Sequence, residues 1–222
     1  PSTSHSVVTA TGTSALAPSA ARRTAPTWEE YLRVPGSVAW ARYLVDYGIQ
    51  WEIDAREIPA TCPSGLLGIN TKHPGEKPPL DYRTEVFQLD EALLQKALTL
   101  SRHVPLRDGA EAQAARAHFP SAPANQPPSV LQCDTMAGDT WFSGTRLSER
   151  ASEWTRILTD GNGQYCTTQQ EDNATSEALK RGAAAGRVDV KRVAVLRAGA
   201  DFDRPYPGQS SADNLLGYAA QG

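Results

Sequence analysis

The 222-residue sequence predicts an α/β layered fold whose sheet is at least partly parallel. Helix-patterned and strand-patterned segments alternate from about residue 90 onward, which is the order of elements that builds such layers. Three of the strand-patterned segments end in small or polar residues at regular intervals, as expected where strands deliver side chains to a common edge. The length exceeds the commonest single-domain size yet suits one α/β domain, so one core with a tail is expected.

Residues 1–35 carry small polar side chains and prolines without sustained periodicity, the composition of a weakly ordered tail. From residue 37 the pattern changes. SVAWARYLVDYGIQWEID alternates apolar and polar side chains and reads as one or two strands with a turn at Tyr47-Gly48. Prolines and glycines are dense over 59–81, predicting an irregular surface loop. LDEALLQKALTLSRHV places Leu93, Ala97 and Leu100 at helical spacing behind Asp90 as N-cap, predicting a helix over 91–103. A weaker helix follows in DGAEAQAARAHF.

SVLQCDTMAGD reads as one buried strand ending in small residues, where a ligand could approach. TRLSERASEWTRILTDGNG is amphipathic, with Leu147, Ala151, Trp154 and Leu158 on one face and a glycine-rich stop. CTTQQEDNAT then hands a β-prone segment to a helix that runs to about Ala185 and stops at Gly186. The strand RVAVLRAGA, the loop DFDRPYPGQ and a capped helix starting at Ser210 or Ser211 complete the chain.

A formal net charge of −3 and a pI near 5.8, with basic residues scattered among acids, argue against a nucleic-acid partner. Cys62, Cys133 and Cys166 form no C-x-x-C pair, so neither a zinc site nor a redox motif is indicated. One disulfide would leave an odd thiol, and buried, inert cysteines are expected. No apolar run approaches the roughly 18–20 residues of a membrane-spanning helix. The opening segment lacks the charged and apolar regions of a signal peptide, so a soluble chain of unassigned compartment is expected. Pro1 in place of an initiator Met, and an end within a capped helix, point to a fragment or processed form. His5, His73, His103 and His118 are isolated, and nucleophile-elbow, P-loop and zincin motifs are absent. DGNG is expected to be a turn and not a calcium loop.

Three strand-to-loop junctions carry the chemistry: MAGDTWF (136–142), QQEDN (169–173) and AGADFD (198–203). Trp141 precedes Glu171 by 30 positions and Glu171 precedes Asp201 by 30, each about one αβ unit, so an aromatic face and two carboxylates can reach the same sheet edge. Each also has a plainer reading. Trp141 can be a half-buried packing residue, Glu171 and Asp172 can favour the positive end of the following helix, and Asp201 or Asp203 can organise a turn.

The segments GSVAWARYLVDYGIQWEIDAREIP, LDYRTEVFQLDEALLQKAL, QCDTMAGDTWFSGTRLSERASEW and YCTTQQEDNATSEALKRGAAAGRVDVKRVAVLRAGADFDRP resemble the purine nucleoside permease family over 36–222. Their three junctions are similar in order and spacing to the signatures of the nucleoside phosphorylase fold. The resemblance implies a three-layer fold with a mixed central sheet whose first strands are missing here, and a domain over 36–222 behind a non-homologous tail over 1–35. It places Trp141 against the base, Glu171 on the ribose hydroxyls and Asp201 facing the purine. Gln170 stands where phosphorylases have Met, replacing an apolar wall with an amide, and Ala200 stands where a Ser is usual.

Those residue types suit the chemistry. Breaking a purine N-glycosidic bond develops an oxocarbenium-like sugar and an anionic base, so an acid at Asp201, its pKa raised by burial, would serve the leaving group. A carboxylate at Glu171 would fix the sugar and support the developing positive charge. Two functions follow: binding and uptake of purine nucleosides, or phosphorolysis or hydrolysis of them. No cofactor is implied, phosphate being a co-substrate only for a phosphorylase. The family's glycine-rich phosphate loop has no counterpart in residues 1–35, so phosphorolysis by this chain is not expected. The expected partner is a purine nucleoside, without a direct membrane span, and a homo-oligomer is compatible with this reading.

Overall fold

In the computed structural model of the chain the described residues are 7–10, 28–29, 36–48, 50–62, 64–120, 124–138, 140, 142–199 and 201–220. In chain order they form strands β1 (Val7–Ala10), β2 (Trp28–Glu29), β3 (Val38–Ala41), β4 (Tyr43–Asp46), β5 (Gln50–Glu52), β6 (Leu66–Gly68) and β7 (Val86–Gln88), then helices α1 (Glu91–Ser101) and α2 (Ala110–Arg116). Strands β8 (Val130–Gln132) and β9 (Asp134–Ala137), helix α3 (Thr145–Leu158), strand β10 (Tyr165–Gln169) and helix α4 (Asp172–Ala184) follow. Strands β11 (Val193–Ala198) and β12 (Asp201–Phe202) and helix α5 (Ser211–Ala220) end the chain. The expected α/β class is therefore present. Of residues 1–35, read from the sequence as a tail, β1 and β2 are described and the others lie outside the described residues.

The strands fall into a four-stranded sheet ordered β1-β11-β3-β8, a six-stranded sheet ordered β12-β2-β10-β9-β4-β7, and the hairpin β5-β6. Both larger sheets are mixed. In the six-stranded sheet β10, β9 and β4 are parallel, while β2 and β7 run against their neighbours β10 and β4. Two of the passages between the sheets take a single residue, from β3 to β4 across Arg42 and from β8 to β9 across Cys133. SVLQCDTMAGD is therefore two strands and not one, because a continuous strand cannot serve two sheets.

Asp134 holds both crossings. It is 3% exposed; one carboxylate oxygen accepts from the backbone N–H groups of Arg42 (3.0 Å) and Tyr43 (2.7 Å), and the other from Gln164 (2.6 Å). One side chain thus satisfies the buried Tyr43 N–H and the half-buried Arg42 N–H at the first crossing, together with Gln164 N–H at the start of β10. Burial pushes the Asp134 carboxyl above its ordinary value, against the lowering effect of the three N–H groups.

The inert-cysteine expectation is corrected for two of the three residues. Cys133 and Cys166 form a disulfide, and Cys62 is the free, buried thiol. Neither spacing nor motif revealed the pair, because it depends on β9 and β10 being neighbours: the register of the two strands shifts between Tyr165 and Thr167, at Cys166. Closing a loop with a sequence separation of 33 stabilises the chain by about 4 kcal/mol on the loop-entropy model.

Helix α1 begins as expected, with the Asp90 carboxylate accepting from Leu93 N at 2.8 Å. Its buried stripe is Leu94 and Leu98, however, and Leu100 is exposed, so the packed face lies one position from the expected one. Helix α3 packs Ala151, Trp154 and Leu158 against Tyr43, Val45, Met136 and Tyr165, with Leu147 left at the surface. The Trp154 indole donates to Asp46 O at 3.0 Å, which fastens α3 to the end of β4. The loop over 59–81 contains β6, paired with β5. Helix α4 stops at Gly186, whose φ of +70° suits glycine, as the sequence suggests.

Asp134→Asn replaces one acceptor oxygen with an NH₂ group and leaves at least one buried N–H unpaired, so a loss of about 1–3 kcal/mol is expected in chemical denaturation. The folded chain holds the Asp134 proton to a higher pH than the unfolded chain does. Stability from this group therefore falls as pH rises from the ordinary carboxylate range through the raised value, and Asp134→Asn lacks that slope when the two proteins are melted across pH.

Candidate functional site

The first and second junctions meet directly, and the third is joined to each of them through flanking residues. At the first and second, Gly138 N donates to Gln169 O (2.8 Å), joining the ends of β9 and β10. At the first and third, Gly144 N donates to Asp203 O (2.9 Å), and Asn214 of α5 donates through Nδ2 to Ser143 Oγ (2.9 Å) and Phe202 O (3.0 Å). At the second and third, Arg197 donates through Nη1 to Glu171 Oε1 (3.1 Å) and Asp172 Oδ1 (3.4 Å). Gly144 permits the close approach: its φ is +146°, and a Cβ there would lie 3.2 Å from Ser211 Oγ.

The second junction turns sharply because its own side chains serve the first turn of α4. Gln169, fully buried, accepts from Asp172 N at 2.7 Å through Oε1, and Glu171 takes the N-cap position. Glu171 Oε2 accepts from Gln170 N at 3.0 Å. Two acids at the positive end of a helix are favoured there, so the plainer reading of Glu171 and Asp172 describes their position correctly. It does not account for Arg197.

Arg197 is 1% exposed and Asp172 1%, whereas the Glu171 side chain is 49% exposed. One buried guanidinium is thus shared between a buried carboxylate and a half-open one. Arg197 is not among the residues that the sequence singles out. The available signal was a lone Arg in the otherwise apolar strand VAVLRA, which must find an anion if that strand is buried.

Asp201 is 4% exposed on β12. It stands opposite Trp28 of β2, which stands opposite Thr168 of β10, so Asp201 is level with the end of β10 just before Gln169. Phe202 beside it packs on Phe119, with ring centroids 4.1 Å apart. Trp141 lies outside the described residues.

Gln170 faces different surroundings from Glu171. With Asp46, Ala137, Asn173, Glu177 and Arg181 it lines a cleft of about 500 Å³ between the ends of β4, β9 and β10 and the first half of α4. Asn173 donates to Thr84 O at 2.9 Å, closing that wall, and the hydrogen bond from Arg181 holds the Glu177 carboxyl below its usual value. Near the end of β4, burial and a 2.6 Å hydrogen bond to Glu52 push the Tyr47 hydroxyl above its ordinary value. Among the described residues no group of three or more His, Cys, Asp or Glu side chains is placed to hold a metal ion. No helix among them is long and apolar enough to cross a membrane.

Residues 34–222 match the sequence pattern of the family described as purine nucleoside permease (NUP). The chain belongs to the purine nucleoside permease family. A protein of Schizosaccharomyces pombe named as a probable purine nucleoside permease is 35% identical over 192 residues, covering 82% of this chain and 54% of its own length. A purine nucleoside permease of Candida albicans is 34% identical over 180 residues, covering 79% of this chain and 44% of its own. The chain therefore spans about half the length of these members of the family. A solved structure of 5′-methylthioadenosine/S-adenosylhomocysteine nucleosidase from Helicobacter pylori aligns with 88% of this chain and 58% of its own at 9% identity, with a TM-score of 0.42, a likeness too distant to carry an argument.

In this permease-family chain the shared cation predicts unequal consequences for stability. Arg197→Met leaves Asp172 buried without its cation and is expected to cost about 3–5 kcal/mol in denaturant unfolding. Glu171→Gln, at the open end of the same network, is expected to change stability by less than about 1 kcal/mol.

Proposed function

We propose that this chain binds purine nucleosides, with Glu171 accepting hydrogen bonds from the ribose hydroxyls and Asp201 and Trp141 on the side of the base. The observation that supports the reading is the joining of the three segments, with the open Glu171 carboxylate just past β10 and the buried Asp201 on β12, two strands away in the same sheet. The names of the family and of its fungal members support the ligand class. An exposed carboxylate held on a fixed cation is a suitable acceptor for two adjacent hydroxyls, since it is already oriented before the sugar arrives. Gln170, turned to the α4 cleft, would meet whatever part of the ligand extends past the ribose. Binding of this kind serves uptake either by delivery to a membrane partner or by retaining nucleoside once it has entered. No cofactor takes part.

A second reading, cleavage of the N-glycosidic bond, is favoured by the burial of Asp201. In that reading Asp201 would serve the departing purine as the acid, the sugar's developing positive charge facing Glu171. Phosphate would be the co-substrate of a phosphorylase, and water that of a hydrolase.

Incubation with inosine or adenosine, with and without phosphate, separates the two. Tight binding without free base supports the binding role, and base release abolished in Asp201→Asn supports cleavage. Under either reading Glu171→Ala is expected to weaken nucleoside binding at least about tenfold, the scale for losing hydrogen bonds to a charged group. Unchanged affinity in that variant refutes the assignment of Glu171.

A further inference from the structure

Arg197 and its two carboxylates present an imbalance. A guanidinium that is 1% exposed needs an anion beside it, because an uncompensated buried charge costs several kcal/mol. If Glu171 were that anion alone, drawing its carboxylate toward a ligand would strip the cation, and ligand binding would be opposed by the cost of doing so. Asp172 changes this. Its side chain is 1% exposed, its backbone N–H is held at the start of α4 by Gln169 Oε1, and its carboxylate lies 3.4 Å from the same Nη1 that reaches Glu171 at 3.1 Å. The Glu171 side chain, 49% exposed, is the one with room to move.

We propose that Asp172 is a positioning residue: it is the permanent counter-ion of Arg197 and so releases the Glu171 carboxylate to engage the hydroxyls of a ligand. The inference rests on the reading of Glu171 as the ribose-binding residue. It assigns the two adjacent acids different tasks. One neutralises the buried cation, and the other exchanges between that cation and the ligand. The same network explains why the chain has two consecutive acids where helix-end electrostatics alone would be served by either.

The test is a charge-balanced cycle on the full chain, with adenosine as the probe and calorimetric titration as the readout. Asp172→Asn removes the buried carboxylate from Arg197 and leaves the Glu171 contact, and adenosine affinity is expected to fall about tenfold, the scale of coupling within one ion network. Asp172→Asn combined with Arg197→Gln removes the cation and its counter-ion together, and affinity is expected to recover above that of the single variant. A purely structural role predicts no such recovery, since the double variant loses more contacts. Thermal melts establish that each variant is folded, and Asp172→Glu, which keeps the charge, supplies a second comparison expected to bind better than Asp172→Asn. If Glu171→Gln weakens adenosine binding while Asp172→Asn leaves it unchanged, or if the double variant is no better than the single, the division of tasks is overturned and the ribose assignment stands. If Glu171→Gln has no effect, both fall.

Discussion

Everything at the strand ends depends on how two sheets are joined, and the Asp134 carboxylate makes that joint. Two adjacent strands leave one sheet for the other within a single residue, at Arg42 and at Cys133, and each departure interrupts a ladder of backbone hydrogen bonds in the interior. Asp134 accepts from the two N–H groups at the first departure, Arg42 and Tyr43, and from Gln164 ahead of β10, at 2.6–3.0 Å. The parallel set β4, β9, β10 then runs to one edge with its carboxyl ends level, which is where loops carrying chemistry belong in a fold of this class.

From that edge outward the organisation is a triangle of contacts between loops that are each about one αβ unit apart in the chain. Two of its sides carry backbone hydrogen bonds, at Gly138 and Gly144, the second reinforced by the Asn214 side chain. The third is ionic, and it alone mixes a fixed partner with a movable one. The most open member of that ionic side is Glu171, on a short turn where Gln169 Oε1 holds the Asp172 N–H.

Much of this was legible in the sequence, and the failures have physical causes. Local chemistry announces the start of α1, capped by Asp90, and the stop of α4 at Gly186, and both lie where the sequence places them. The interval between Glu171 and Asp201 reflects one αβ unit, and the joining of their loops through Arg197 follows from it. Local pattern does not reveal which strands change sheet, because VLQ and DTMA are equally apolar on both sides of Cys133. The disulfide was hidden for the same reason, being a consequence of neighbouring strands and not of spacing. The α1 stripe was misplaced by one position because Leu93, Leu94, Leu98 and Leu100 offer two overlapping faces, and only tertiary packing chooses between them. Arg197 escaped notice because an arginine in a strand is ordinarily a surface residue.

The covalent link between Cys133 and Cys166 spans the whole of α3 and the first junction. A polypeptide cut once inside that span, for instance at the glycine turn around Asn162, would still migrate as one species until a thiol reagent was added. The segment that brings the first and second junctions together is in that sense a closed ring, and its two ends cannot drift apart even where the backbone between them is opened.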